Sequence, residues 1–433
     1  MSRKSLHPRL RVLLNNRHVG YLTKEPGGMA GFCYEEGWLA WEFAFPVSLS
    51  LPLRKDPYRG ASVTAVFENL LPDSETFRRR VAEKVGAEGT DAYSLLWQIG
   101  RDCVGALQFI PEDDALVSGS ALIDGEIVSD EAIEQMLNNL VQVPLGLDRD
   151  QAFRISVAGA QEKTALLFYQ GKWMKPRGTT PTTHIFKTKI RALQTGLDLT
   201  SSIENEYYCL KLMAAFGLPV NVANIQFFGK TKALVIERFD RKWTEDGRLL
   251  RVPQEDCCQA LSVPPGKKYQ NEGGPGMVEI LRLLQASDRP EEDQKTFLKA
   301  QILFWLMGAT DGHAKNFSIF LGPRGRFNLT PIYDVLTVQP SLDARHIERK
   351  QMKMAMSVGN SRHYAIKDIQ GRHFIQTAER AGLPGAVASA ALEEVAREGL
   401  DALKKVESQL PSDFPKGLHA SVQAGFMSRL AKI

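Results

Sequence analysis

The chain runs Asp311-Gly-His-Ala-Lys-Asn316, then two strand-like pieces, Phe317–Leu321 and Phe327–Thr330, joined by Gly322-Pro-Arg-Gly325, and then Tyr333-Asp334. Before it lies Leu298–Met307, apolar nearly all round and so predicted to be a buried helix. A carboxylate leaving a buried helix, an amide five residues on, a short hairpin and a second carboxylate form an ordered set of oxygen groups. Transfer of a phosphoryl group from ATP needs a carboxylate to receive the proton of the attacking hydroxyl, and oxygen ligands for magnesium at the phosphates.

Protein kinases place their base Asp five residues before a metal-binding Asn, with a hairpin and a metal-binding Asp after it. Taken alone, Asp311-Gly312 reads as a helix-ending turn, with Asn316 and Asp334 as turn polars. The order of the whole set argues for chemistry.

Working outward, Ser156-Val-Ala-Gly-Ala-Gln-Glu-Lys163 sits between the strand-like runs Phe153–Val157 and Thr164–Tyr169. Small residues there let backbone N–H groups approach phosphate oxygens. An ordinary hairpin connection is the competing reading. Lys187 ends the predicted strand Thr183–Lys187 and shares a face with Thr183 and Ile185, which suits a cation reaching phosphates. Glu206, on the next helix, is a candidate partner for it, in competition with Glu204. Glu237-Arg-Phe-Asp240 closes the strand Ala233–Phe239 and would offer backbone groups to an adenine edge.

The rest of the chain frames these pieces. Leu10–Leu14, Val19–Thr23, Gly31–Tyr34 and Trp38–Trp41 read as strands with hairpin turns at Asn15-Asn16 and Glu36-Gly37. Ser74 and Thr90-Asp91 are predicted to cap helices reaching Val85 and Ile99, and Ser201-Ser202 another with Ile203, Tyr207, Leu210 and Met213 on one face. Cys103–Ile110 returns to strand, 111–120 reads as a linker, and a helix is expected near 130–141. Beyond about Ile369 the chain reads as helices. The expected division is 1–112 (β-rich), 113–150 (linker and helix), 151–250 (an ATP-gripping small lobe) and 251–433 (a helical catalytic lobe).

Bulk properties narrow the class. At 433 residues the chain exceeds one compact core. Hydrophobic residues at 43% and charged residues at 24% are ordinary for a globular protein, and a formal charge of +4 decides nothing about nucleic acid. Five cysteines without C-x-x-C spacing exclude a zinc ribbon and argue against a disulfide framework. No run approaches a membrane span or a signal-peptide core, so no membrane role and a cytoplasmic location are expected.

Several stretches together resemble the HipA toxin kinases: Asn69-Leu-Leu-Pro-Asp-Ser74, Ile99-Gly-Arg-Asp-Cys-Val-Gly105, Ile155-Ser-Val-Ala-Gly-Ala-Gln-Glu-Lys-Thr-Ala165, Pro181-Thr-Thr-His-Ile185, Glu237-Arg-Phe-Asp240, Gln254-Glu-Asp256, Gly273-Gly-Pro-Gly276 and Gly308-Ala-Thr-Asp-Gly-His-Ala-Lys-Asn316. The resemblance spans nearly the whole chain. It implies an α+β, two-lobed protein/lipid-kinase-like fold of the phosphatidylinositol-3/4-kinase type, with a β-rich N-terminal part and a helical C-terminal lobe. It makes Asp311 the base and Asn316 and Asp334 magnesium ligands. His313, Lys315 and Tyr333 would lie beside ATP, held by Ala158, Gly159, Ala160, Gln161, Glu162, Lys163, Lys187, Glu237, Arg238 and Phe239.

Ser156 matches the family's autophosphorylation site, where a phosphate would silence the enzyme. The family further implies a HipB-like helix-turn-helix antitoxin, a repressing complex on operator DNA, and a protein substrate such as glutamyl-tRNA synthetase whose loss halts translation and promotes persistence. Two other readings stand beside it: a vestigial-kinase corepressor bridging antitoxin and DNA, and a small-molecule phosphotransferase. The basic residues Arg345, Arg349, Lys350 and Lys353 read as a solvated face, and 264–276 as a mobile loop.

Overall fold

The computed structural model describes residues 7–114, 123–147, 155–156, 158, 161–190 and 199–433. Two compact units result, a mixture of sheets and helices. The first comprises Met1–Thr188, Gln226–Gly266 and Phe320–Arg326; the second comprises Lys189–Ile225, Lys267–Ile319 and Phe327–Ile433.

The first unit opens with β1 (Leu10–Leu14), β2 (Arg17–Lys24), β3 (Ala30–Tyr34), β4 (Tyr58–Arg59) and β5 (Leu107–Pro111), in the sheet order β4-β3-β2-β1-β5. Asn15 and Asn16 turn β1 into β2 at φ 46° and 65°, the left-handed pair that a tight hairpin demands and asparagine tolerates. Trp38–Trp41 is not a strand. It falls in and after the single-turn α1 (Glu36–Leu39), because only Trp38 of the four is buried, its indole N–H donating to Phe45 O at 3.1 Å. A strand would have buried every second residue.

Helices α2 (Ala61–Glu68), α3 (Glu75–Val85) and α4 (Ala92–Ile99) follow. Ser74 Oγ accepts from Phe77 N and Asp91 Oδ1 from Ser94 N, the caps expected of them.

The second sheet of this unit contains β6 (Gly125–Ile127), β7 (Lys163–Tyr169), β8 (Lys172–Pro176), β9 (His184–Lys187), β10 (Ala223–Phe228) and β11 (Thr231–Glu237), ordered β10-β11-β9-β7-β8-β6. Helix α5 (Asp130–Asn138) covers one face: Ile133, Leu137 and the following Leu140 pack with Leu166, Phe186, Phe228, Ala233 and Val235. Since side chains alternate along a strand, Lys163 and Lys187 occupy the opposite face from Leu166 and Phe186.

Within the second unit, α6 (Ser202–Ala215) is buried nearly all round. Tyr208 rather than Tyr207 is the enclosed ring, bonded through its hydroxyl to His419 Nδ1 at 3.0 Å, and Ser201 makes no side-chain cap. The four-residue α7 (Cys257–Ala260) belongs to the first unit; α8 (Met277–Leu284) and α9 (Pro290–Met307) belong to the second.

Helix α9 starts with Pro290 and the acidic Glu291, Glu292 and Asp293, which suit its positive end. It ends at Gly308, whose φ of 74° lets the chain leave the helix. From Phe297 onward it is buried on every side, as its composition predicts, and α8 (Met277–Leu284), α10 (Gly385–Glu407) and α11 (Lys416–Leu430) pack around it. No helix among the described residues is long and apolar enough to cross a membrane.

Candidate phosphoryl-transfer site

The candidate residues divide between the two units. In the second, the chain leaves α9 at Gly308 and makes a tight loop from Asp311 to Asn316. Asn316 Nδ2 donates to the carbonyl oxygen of Asp311 at 2.7 Å, so the asparagine closes the loop that the aspartate opens. Gly312 lies flat on the Phe304 ring of α9, where a Cβ would come within 2.8 Å of a ring carbon. Glycine is therefore required for the loop to seat on the buried helix.

Asn316 is 5% exposed, whereas the Asp311 side chain keeps 52% of its surface open. The anchor is enclosed and the carboxylate is presented. With its amide N–H committed, Asn316 has its amide oxygen left to face a cation.

Two further contacts fix this loop. Tyr333 Oη donates to Lys315 O at 3.0 Å and accepts from Ser318 Oγ at 2.6 Å, which sets the Tyr333-Asp334 step against the Lys315-Asn316 step. Asp334 itself has φ 58°. A non-glycine residue held there is uncommon, and aspartate is among the few that accept it. Carboxylate and amide oxygens are the hard donors that suit Mg²⁺, which binds through one or two protein oxygens together with substrate phosphates.

The imidazole of His313 is buried, with Nε2 3.8 Å from Asp311 Oδ1. Tyr269 donates a short hydrogen bond to the same Oδ1, and its ring stands edge-on to His313 at 4.9 Å. Sequence reasoning missed Tyr269. It lies in the Gly- and Pro-rich stretch expected to be a mobile loop, and no local pattern links it to a residue 42 positions away.

In the first unit, β7 and β9 set Lys163 directly opposite Lys187 in antiparallel register, and each is only 5% exposed. Lys163 Nζ donates to Ala158 O at 2.8 Å, and Gln161 Nε2 to Thr188 O at 2.8 Å. Both ends of the small-residue loop are thus tied to the lysine-bearing strands. Glu162 pairs with Arg80 at 3.5 Å. Gly159 and Ala160, and the strand expected over Phe153–Val157 apart from Ile155 and Ser156, lie outside the described residues. Ser156 is fully buried: Oγ donates to Leu70 O at 2.7 Å and its N–H to Asp102 O at 2.9 Å.

Glu237 pairs with His184 across β11 and β9, on the face away from the two lysines, and its side chain is exposed. Arg238 turns its side chain into the core of the first unit. Its N–H donates to Thr183 O, its carbonyl accepts from Arg241 N, and its guanidinium bonds Asp240, Thr182 and the Cys103 carbonyl. These bonds place it in a buried cluster around Asp102, which also accepts from Arg241 Nη2 at 2.8 Å and Arg251 Nε at 3.1 Å. Burial alone would raise the Asp102 pKa. Arg241, Arg251, Arg238 and the Thr182 N–H outweigh it and hold the carboxyl well below its ordinary range. Lys187 belongs to the first unit, and Glu206, almost fully buried, to the second.

Residues 155–403 match the model of the HipA-like C-terminal domain and residues 10–110 that of the HipA N-terminal domain. The chain belongs to the HipA family. Its relatives include the putative kinase Y4mE of Sinorhizobium fredii, 36% identical over 87% of this chain and 86% of that protein. Another is the serine/threonine-protein kinase toxin HipA of Shewanella oneidensis, 28% identical over 87% of this chain and 84% of that protein. The Shewanella HipA in a solved complex with HipB and operator DNA superposes with a TM-score of 0.80 at 25% identity, covering 98% of this chain and 96% of that one.

Family membership gives the buried cluster a context. Ile99–Gly105 and Glu237–Asp240, two of the HipA-like stretches, meet in it: Asp240 Oδ2 accepts from Gly105 N at 2.6 Å, and a Cβ on Gly105 would come within 2.7 Å of Gln254 O. These two HipA-like stretches carry packing. Asp311–Asn316 and Asp334 carry the groups with chemistry to offer.

Proposed function

We propose that this HipA-family chain is an ATP-dependent serine/threonine protein kinase toxin. The observation that carries the reading is the Asp311–Asn316 loop: a half-open carboxylate on a loop locked by a buried asparagine, beside an aspartate in a strained conformation. Asp311 receives the proton of a substrate hydroxyl as that oxygen bonds the γ-phosphorus and the bond to the β-phosphate oxygen breaks, releasing ADP. Asn316 and Asp334 are the residues that would hold Mg²⁺, which when bound neutralises charge on the phosphates. Lys163 and Lys187, with the backbone of the loop from Ala158, bind the phosphates, while the backbone around Glu237–Phe239 meets the adenine. The finer label of a two-lobed, phosphatidylinositol-kinase-like fold, with the fourfold division of the chain given above, belongs to the same proposal.

Ser156 is the self-modification site in this reading. Its hydroxyl is sealed against Leu70 O, and a phosphate there adds about 1.5 to 2 negative charges that cannot stay buried. The loop must leave its seat, and nucleotide binding ends with it. A HipB-like antitoxin is the proposed partner, with operator DNA bound through that complex, in line with the assembly of the Shewanella relative. Glutamyl-tRNA synthetase is the proposed substrate, which places the action in the cytoplasm and makes arrested translation and persistence the outcome. Incubation of that synthetase with Mg-ATP tests it: transfer by wild type and none by Asp311→Asn is expected. Transfer to another protein alone would retain the kinase and remove the substrate.

A further inference from the structure

Residues 267–276, which lead into α8, are tied down within the second unit at three points. Lys268 O accepts from Ala314 N at 3.4 Å, Gln270 Oε1 accepts from Ser357 N at 2.6 Å, and Gly276 N donates to Glu279 Oε2 at 2.9 Å. Gly274 N returns to Tyr269 O at 3.0 Å, and a Cβ on Gly274 would overlap Lys267 O at 2.0 Å, so the turn is closed on itself. Carried on this frame, the Tyr269 hydroxyl meets Asp311 Oδ1, and its ring braces His313.

A carboxylate has about four acceptor positions on two oxygens. Tyr269 and His313 both address Oδ1, while no partner reaches Oδ2 among the described residues and half the side chain stays open. An aspartate on an exposed loop would otherwise rotate about its side-chain torsions. Fixing one oxygen aims the other, and misplacing a catalytic group by about 1 Å costs on the order of a hundredfold in rate.

We infer that Tyr269 is a positioning residue for phosphoryl transfer, holding Asp311 by Oδ1 so that Oδ2 faces the acceptor hydroxyl. The inference rests on the kinase reading. It adds a residue from a segment outside the Asp311–Asp334 set and makes the closed turn at 267–276 part of the site.

Tyr269→Phe keeps the ring against His313 and removes only the hydroxyl. The expected result is a kcat lowered about tenfold or more, in the range for a misaimed base, with KM for ATP and the thermal midpoint unchanged. In an Asp311→Asn background the same change should cost no further activity, since the two residues act as a unit. The ¹³Cζ resonance of Tyr269 supplies a readout independent of turnover: it should move on Asp311→Ala. An unmoved resonance, or a Phe variant with wild-type kcat, overturns the inference. Absence of transfer by wild type, with the resonance still responsive, would instead fail the kinase reading and leave the contact standing.

Discussion

Asn316 and Asp311 are joined by a side-chain-to-main-chain hydrogen bond of 2.7 Å, so their five-residue spacing is the span of a closed loop. That bond makes Asn316 both a brace and a donor of oxygen. Asn316→Ala is therefore expected to lower phosphoryl transfer by about a hundredfold while costing only about 1 kcal/mol of stability for the lost bond. Initial rates across a magnesium titration check it. An unchanged magnesium dependence would remove Asn316 as a ligand.

Ser156→Ala loses the hydroxyl bond to Leu70 O, a cost of about 1 kcal/mol, and should block self-modification while leaving transfer to other proteins intact. Ser156→Glu should release the loop. Limited proteolysis of the two variants, with mass mapping of the cut sites, reads the difference. Equal protection in Ser156→Glu and wild type would contradict the buried seat.

Asp102 faces three buried guanidiniums, from Arg238, Arg241 and Arg251, and shares the first two with Asp240. Asp102→Asn leaves Asp240 as the one carboxylate against three guanidiniums and takes the carboxylate from Arg251, and a loss of about 3–5 kcal/mol is expected from breaking such a cluster. Urea unfolding measures it. A loss under 1 kcal/mol would show that the arginines find other partners or water.

Glu255 gives a pH prediction. Burial pushes its carboxyl up to about 8, against the Leu49 N–H that bonds Oε1 at 2.8 Å. A folded pKa above the unfolded one means that the contribution is whole below about 4.5. It drains away as the pH rises, until about 8, at about 1.4 kcal/mol per unit. Glu255→Gln should flatten the fall in thermal midpoint between pH 5 and 8. A variant that follows the wild-type curve would place the titration elsewhere.

What the sequence makes legible follows from the range of the interactions. Asp311 to Asn316 is a local loop with a local bond, and α9 declares itself by a wholly apolar surface ending at Gly308. The Asn15-Asn16 hairpin and the Ser74 and Asp91 caps are equally local. Trp38 misleads because one large buried ring imitates a strand residue when its neighbours are apolar too.

The Asp102 cluster and the Tyr269 contact are not legible. Asp102 to Arg241 spans 139 residues and Tyr269 to Asp311 spans 42, and no periodicity records such pairings. Arg238 shows the consequence. Its place after β11 suggests a nucleotide contact, and nothing local says that its guanidinium is held in the core by Asp102, 136 residues away, together with the nearby Asp240.

The most direct test is the intact mass of purified, initially unphosphorylated protein after incubation with Mg-ATP, wild type beside Asp311→Asn. One added phosphate in wild type alone, mapped to Ser156, is the expected result. Addition to both forms would remove Asp311 as the base. Addition to neither, with ATP bound by both, would contradict an active kinase.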